Sequence, residues 1–146
     1  MVSSEEADMA LERRKAIGFG VANLLTCALV ALGVASLPTR WWVVDFPAAA
    51  VAALLAASGV GLVRSARWAE RVARLAAFAS LGVGLVLLAL LALSASFLAG
   101  IYGPVGRGGI TIMVLVGALA FPYLVALPAA QLVWLGPRAT AKDASK

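Results

Sequence analysis

Histidine is absent from this 146-residue chain, cysteine occurs once, and only seven residues are acidic. Each shortage closes off some chemistry. Without histidine the commonest general base and the commonest transition-metal ligand are both missing. Cys27 lies inside an apolar run and has no second cysteine to pair with, so it is expected to be a small packing residue. Five of the acids, Glu5, Glu6, Asp8, Glu12 and Asp143, belong to the terminal segments, which leaves only Asp45 and Glu70, both at the ends of apolar runs. No nucleophile–base pair, carboxylate pair or metal-ligand cluster can be assembled from such a set. The expectation is a protein that is not an enzyme and that uses no cofactor or metal.

Charge of either sign is also scarce, at 13% of residues, while apolar residues make up 63% and the mean hydropathy is +1.00. Soluble domains are about 45–50% apolar. Between the few charged clusters run apolar stretches of roughly the 20 residues needed to cross a bilayer. A soluble helical core would show polar faces at helical period, and these runs do not. The sequence therefore predicts an all-α, polytopic integral membrane protein, a bundle of four transmembrane helices over about 16–37, 46–63, 72–98 and 109–135. A charged segment, 1–15, precedes the spans, and a polar tail, 136–146, follows them.

Local signals set these boundaries. In "MVSSEEADMALERRK" acids come first and the basic residues abut the first span; Ser4 with Glu5 and Glu6 can start a short, fraying helix. "GVAS" at 33–36 resembles a signal-peptide cleavage site, but the apolar run is too long and the N-terminus too acidic for that class of segment. The first span is expected to stay. Pro38 ends it, and Trp41 and Trp42 suit the headgroup level. Asp45 before Phe46-Pro47 reads as an N-cap with proline in the first helical turn. Gly136-Pro137 is expected to stop the last span, leaving a disordered tail.

The net charge of +5 and pI near 10.2 would raise nucleic acid in a soluble protein. Here the distribution of Lys and Arg explains them, and no nucleic acid is expected. Arg13, Arg14, Lys15, Arg64, Arg67, Arg71, Arg74, Arg138, Lys142 and Lys146 fall on one side of the four-span topology; Arg40 and Arg107 fall on the other. Ten against two places both termini and the 64–74 connection in the cytoplasm. Arginine outnumbers lysine and Ala, Leu, Val and Gly dominate, as in a GC-rich bacterial source, so a bacterial inner membrane is the expected location.

Four features are candidates for function. The spacing of Arg64, Arg67, Arg71 and Arg74 would put them within about an 80° arc if the segment were helical, a surface for anionic lipid or an acidic partner. Ala49, Ala53, Ala57 and Gly61 repeat every fourth residue, a small-residue stripe that lets helix backbones approach. Shorter stripes run through Gly18, Ala22 and Thr26, through Ala76, Ser80 and Gly84, and through Ala92, Ser96 and Gly100. Pro122 and Pro128 predict kinks in the fourth span, freeing the carbonyls of Ala118 and Leu124. The stretch "GIYGPVGRGGI" holds five of the fourteen glycines. It lacks the Lys-[Ser/Thr] of a phosphate-binding loop and reads as a tight connection using glycine for positive φ, with Tyr102 and Arg107 as outer-loop candidates.

Polar side chains within the spans, Asn23, Thr26, Ser58, Ser80, Ser94, Ser96, Thr111 and Gln131, are expected to bond neighbouring helices or local carbonyls; Asn23 in particular should face another helix. Small multidrug transporters share this length and span count, but their working glutamate has no counterpart in the first span. The reading that follows is a non-enzymatic structural or accessory subunit of a membrane complex. Its partners are membrane lipids and other subunits or further copies of itself. The alternative is an oligomeric small-solute or lipid transporter or pore whose kinked fourth helix lines the path.

Overall fold

A computed structural model describes residues 4–36, 38, 42–102 and 106–143, with side chains described for all but 4, 5, 44 and 137–143. The described residues are almost wholly helical: α1 (Ser4–Ala35), α2 (Trp42–Val63), α3 (Ala69–Tyr102), α4 (Arg107–Phe121) and α5 (Leu127–Asp143), with a π-helical turn, Pro122–Ala126, joining the last two. Four segments are long and apolar enough to cross a membrane: Glu6–Ala35, Asp45–Val63, Ala69–Tyr102 and Arg107–Gly136. The four spans read from the sequence are therefore present, and the chain is an all-α, multi-pass membrane protein by its helices.

The helix ends depart from expectation. α1 does not fray into a separate segment; it runs unbroken from Ser4, because Ala, Leu, Glu, Arg and Lys are strong helix formers and Lys15 pairs with Glu12 one turn back at 3.6 Å. α2 begins at Trp42, so Asp45 sits in its first turn rather than capping it, and Pro47 lies inside the helix. Pro47 removes only the bond to the Val43 carbonyl. α5 passes through Gly136-Pro137 and continues to Asp143, so the expected disordered tail is helical that far. Arg138, Ala139, Ala141 and Lys142 favour helix, and one proline deletes a single bond. Arg40, Trp41, Gly103 and Pro104 lie outside the described residues.

The chain divides into two compact units. The first takes in residues 1–76 and 135–146. In it α1 and α2 pack antiparallel: Gly20 lies against Gly59, Asn23 against Ser58 and Cys27 against Ala52. The start of α3 and the end of α5 complete its core, where Leu55, Leu62, Ala69, Ala73, Ala76 and Leu135 are buried.

The connection from α2 to α3 corrects the sequence reading. Residues 64–68 form turns and α3 starts only at Ala69. Arg64, Arg67, Arg71 and Arg74 therefore do not share one helical face. The reason is a C-terminal capping motif: the Ala66 N–H donates to the Gly61 carbonyl at 3.0 Å and the Ser65 N–H to the Leu62 carbonyl at 3.2 Å. This is the six-to-one and five-to-two pattern that ends helices with a left-handed residue. That residue is Ser65, at φ 53°.

The second unit is 77–134. Here α3 runs antiparallel to α4 and the π-helical turn that follows it. Leu98 lies beside Gly106 and Gly109, Leu88 beside Gly117, and Gly84 beside Leu124. The glycine-rich stretch is mostly helix: α3 continues through Gly100, Ile101 and Tyr102, and α4 begins at Arg107. Gly106 has φ −69°, and no described glycine adopts positive φ. Glycine serves close approach here, since a Cβ at Gly106 would sit 2.7 Å from the Leu98 carbonyl oxygen. Leu85, Leu90, Phe97, Val114 and Leu119 are exposed, as side chains solvated by acyl chains are.

Candidate functional site

The most tightly built place is the α1–α2 crossing. Asn23 and Ser58 are 1% and 0% exposed, and the Asn23 amide nitrogen donates to Ser58 Oγ at 2.8 Å. The Ser58 hydroxyl in turn donates to the Leu55 carbonyl at 3.1 Å. Asn23 thus faces another helix, as its amide requires in an apolar solvent. Its oxygen, Oδ1, is buried with no hydrogen-bond partner among the described residues. One turn away, Gly20 and Gly59 face each other. A Cβ on Gly20 would meet the Gly59 carbonyl oxygen at 3.0 Å, and one on Gly59 would meet the Gly20 carbonyl oxygen at 2.8 Å. Cys27 Sγ donates to the Ala52 carbonyl at 3.2 Å, which agrees with a packing role.

Sequence reading missed this glycine pair. It picked Gly18, Ala22 and Thr26 on α1, yet nothing lies within 4 Å of a Cβ at Gly18. The available signal was Asn23 itself: Gly20, Asn23 and Cys27 fall on one helical stripe, three and four residues apart. On α2 the buried positions are Leu55, Ser58, Gly59, Gly61 and Leu62. Of the stripe singled out from the sequence, Gly61 is buried, Ala57 half-buried, and Ala49 and Ala53 exposed. Gly61 is covered by the start of the next helix: a Cβ there would lie 2.9 Å from the Trp68 ring and 3.1 Å from Ala69 Cβ. Beside the exposed part of the stripe, Val30, Ala31, Val34, Ala48, Ala49 and Ala52 border a groove of about 350 Å³.

The arginines divide by environment. Arg74 is half-buried and donates to the Leu135 carbonyl at 3.3 Å. Arg64, Arg67 and Arg71 are exposed. Tyr102 and Arg107 are also exposed, at the last position of α3 and the first of α4.

In the second unit Ser80 Oγ and Gln131 Nε2 are buried without hydrogen-bond partners among the described residues. Other hydroxyls bond back one turn: Thr26 to Ala22, Ser96 to Ala92 and Thr111 to Arg107, each at 2.9 Å. The two expected proline kinks resolve into one π-helical turn, in which the Leu127 N–H reaches the Pro122 carbonyl. The Leu124 oxygen, freed by Pro128, lies where a Cβ on Gly84 would be 2.5 Å away. Gly84 thus leaves room for a carbonyl that has lost its helical donor. Among the described residues no group of His, Cys, Asp or Glu is placed to hold a metal ion. Compared with known protein families, characterised proteins and solved structures, the chain matches none.

Proposed function

We propose that the chain is a structural or accessory subunit of a membrane complex, with both termini in the cytoplasm of a bacterial cell, and that it acts through helix packing rather than chemistry. The observation that carries this reading is the unequal use of the small-residue stripe on α2. Its one end is consumed within the chain at Gly61, while Ala49 and Ala53 stay exposed and Ala49 borders a groove lined by alanines and valines. Small side chains facing outward give another helix's backbone close access, which is how helices associate where lipid removes the hydrophobic driving force. The polar groups of the first unit support the same view, since Asn23 bonds Ser58 and Cys27 bonds the Ala52 carbonyl across the α1–α2 crossing.

The test is the mass of the intact protein extracted in mild detergent, with co-purifying chains identified. A defined assembly is expected, lost on Ala49→Leu with Ala53→Leu, whose bulk would separate the backbones. A monomer insensitive to both substitutions would refute the reading.

A second reading, a transporter or pore formed by oligomerisation, draws on the fourth span. Its π-helical turn exposes Tyr123, and the buried Gln131 amide nitrogen has no hydrogen-bond partner among the described residues. A homo-oligomer that passes small solutes in liposomes, with flux changed by Gln131→Leu, would favour it over the subunit reading.

A further inference from the structure

We infer that the turn between α2 and α3 is a headgroup site for an anionic phospholipid, made by Arg64, Arg67 and Arg71 with Trp68, and that Arg74 is not part of it. The inference rests on the cytoplasmic placement of this turn, not on the subunit reading.

The separation of Arg74 from the rest comes from its bond to the Leu135 carbonyl, which commits that guanidinium to the protein. The other three are exposed, and among the described residues no acid or carbonyl pairs with them. Glu70, the only acid between Asp45 and Asp143, is half-buried in the first turn of α3. Arg64, Arg67 and Arg71 thus place three cations within eight residues of chain, against the single carboxylate of Glu70.

The backbone that carries them is fixed rather than loose. Arg64 is tied to α2 by its own N–H, 3.0 Å from the Val60 carbonyl. The capping bonds of Ser65 and Ala66 then reverse the chain, and the Ala69 N–H donates to the Ala66 carbonyl at 3.0 Å. Arg64 leaves one helix, Arg67 stands at the turn and Arg71 opens the next helix. Guanidiniums around a tight turn can converge on one phosphate, where a single helical stripe would space them along a line. Arginine's planar set of donors suits phosphate oxygens.

Trp68 sets the depth. Part of its indole packs on Gly61, and the ring is still 49% exposed. Tryptophan with one apolar surface anchored and one free belongs at the headgroup level. The turn follows Val63, the last residue of an apolar span, so the charges emerge where lipid phosphates lie. The antiparallel register of α1 brings exposed Arg14 to the same end of this unit, while Lys15 is engaged by Glu12. Charge, depth and geometry all select a membrane phosphate over a soluble one.

The test uses the full chain in nanodiscs of phosphatidylcholine, with and without phosphatidylglycerol. Native mass spectrometry counts bound phosphatidylglycerol, and the thermal midpoint is read in parallel. Each arginine near an anionic surface is expected to contribute about fivefold in affinity, so Arg64→Gln, Arg67→Gln and Arg71→Gln together should lose about a hundredfold. Arg74→Gln should lower the thermal midpoint equally in both lipids and leave the phosphatidylglycerol preference intact. High salt should weaken the wild-type preference. Undiminished phosphatidylglycerol binding by the triple variant would overturn the proposal. So would full reproduction of the stabilisation by inorganic phosphate in neutral detergent. A preference that vanishes when Glu5, Glu6 and Asp8 are neutralised would overturn it too, by assigning the arginines to a second copy's acidic N-terminus. Should the triple variant not fold, a wild-type preference that ignores salt is enough to reject it. Labelling of a cysteine at position 65 from outside the cell would reject the orientation instead, separately from the lipid measurement.

Discussion

Alanine at Gly18 and alanine at Gly20 are the same chemical change, two residues apart on α1, and they are expected to move stability in opposite directions. Replacing glycine by alanine inside a helix gains about 1 kcal/mol from backbone entropy. At Gly18 nothing lies within 4 Å of the new methyl, so that gain should appear nearly whole. At Gly20 the methyl would meet Val63 Cγ2 at 2.9 Å, the Gly59 carbonyl oxygen at 3.0 Å and Leu62 Cβ at 3.3 Å. A backbone oxygen cannot swing aside, so the helices must separate. Overpacking of this kind costs about 1–3 kcal/mol, which leaves a net loss of up to about 2 kcal/mol after the helix gain.

Gly59→Ala should cost more than Gly20→Ala, because its methyl would lie 2.7 Å from Leu24 Cγ as well as 2.8 Å from the Gly20 oxygen. The two together should cost less than their sum, since the first already widens the crossing the second needs. Reversible unfolding in mixed micelles, by SDS titration, measures the four variants and the wild type on one scale. Gly20→Ala stabilising as much as Gly18→Ala would refute the close crossing.

Ser58→Ala should destabilise by about 0.6–2 kcal/mol, because it strips the acceptor from a buried amide whose oxygen is already unpartnered; the same titration checks it, and no loss would argue against the Asn23–Ser58 bond. For topology, single cysteines at positions 4, 39, 65, 108 and 145, in a Cys27→Ala background, should label from outside only at 39 and 108. Gly108 is the usable outer position because a side chain there has open space, whereas one at Gly106 would strike the Leu98 carbonyl.

What could be read from the sequence, and what could not, divides along physical lines. The spans were legible because a bilayer demands length and apolarity, both properties of composition. Helix ends were not. α1 and α5 extend beyond the apolar runs on intrinsic propensity, and the stop signal at Gly136-Pro137 removes too few bonds to end a helix that its neighbours favour. The arginine face failed for a subtler reason. Its three-four-three spacing is helical, but Ser65 takes the left-handed conformation that usually announces itself as glycine. The glycines at 100–110 erred the other way, suggesting positive φ where three of them lie within helices and Gly106 abuts a carbonyl.

The glycine pair and the polar pair in the first unit are one device. Serine and asparagine are short, and a bond of 2.8 Å between Asn23 and Ser58 forms only where two helix backbones are unusually close. Gly20 and Gly59, within one turn, permit that closeness. In lipid the bond in turn favours the crossing, because the alternative is an amide facing hydrocarbon. Neither feature is stable without the other: with bulk at the crossing the amide loses its acceptor, and without the amide nothing polar selects this register over a slip along α2. The coupling is measurable. Ser58→Ala should cost distinctly less in a Gly59→Ala background than alone, because the bond it removes is already stretched there. Equal costs in both backgrounds would mean that the glycines and the hydrogen bond stabilise the crossing independently.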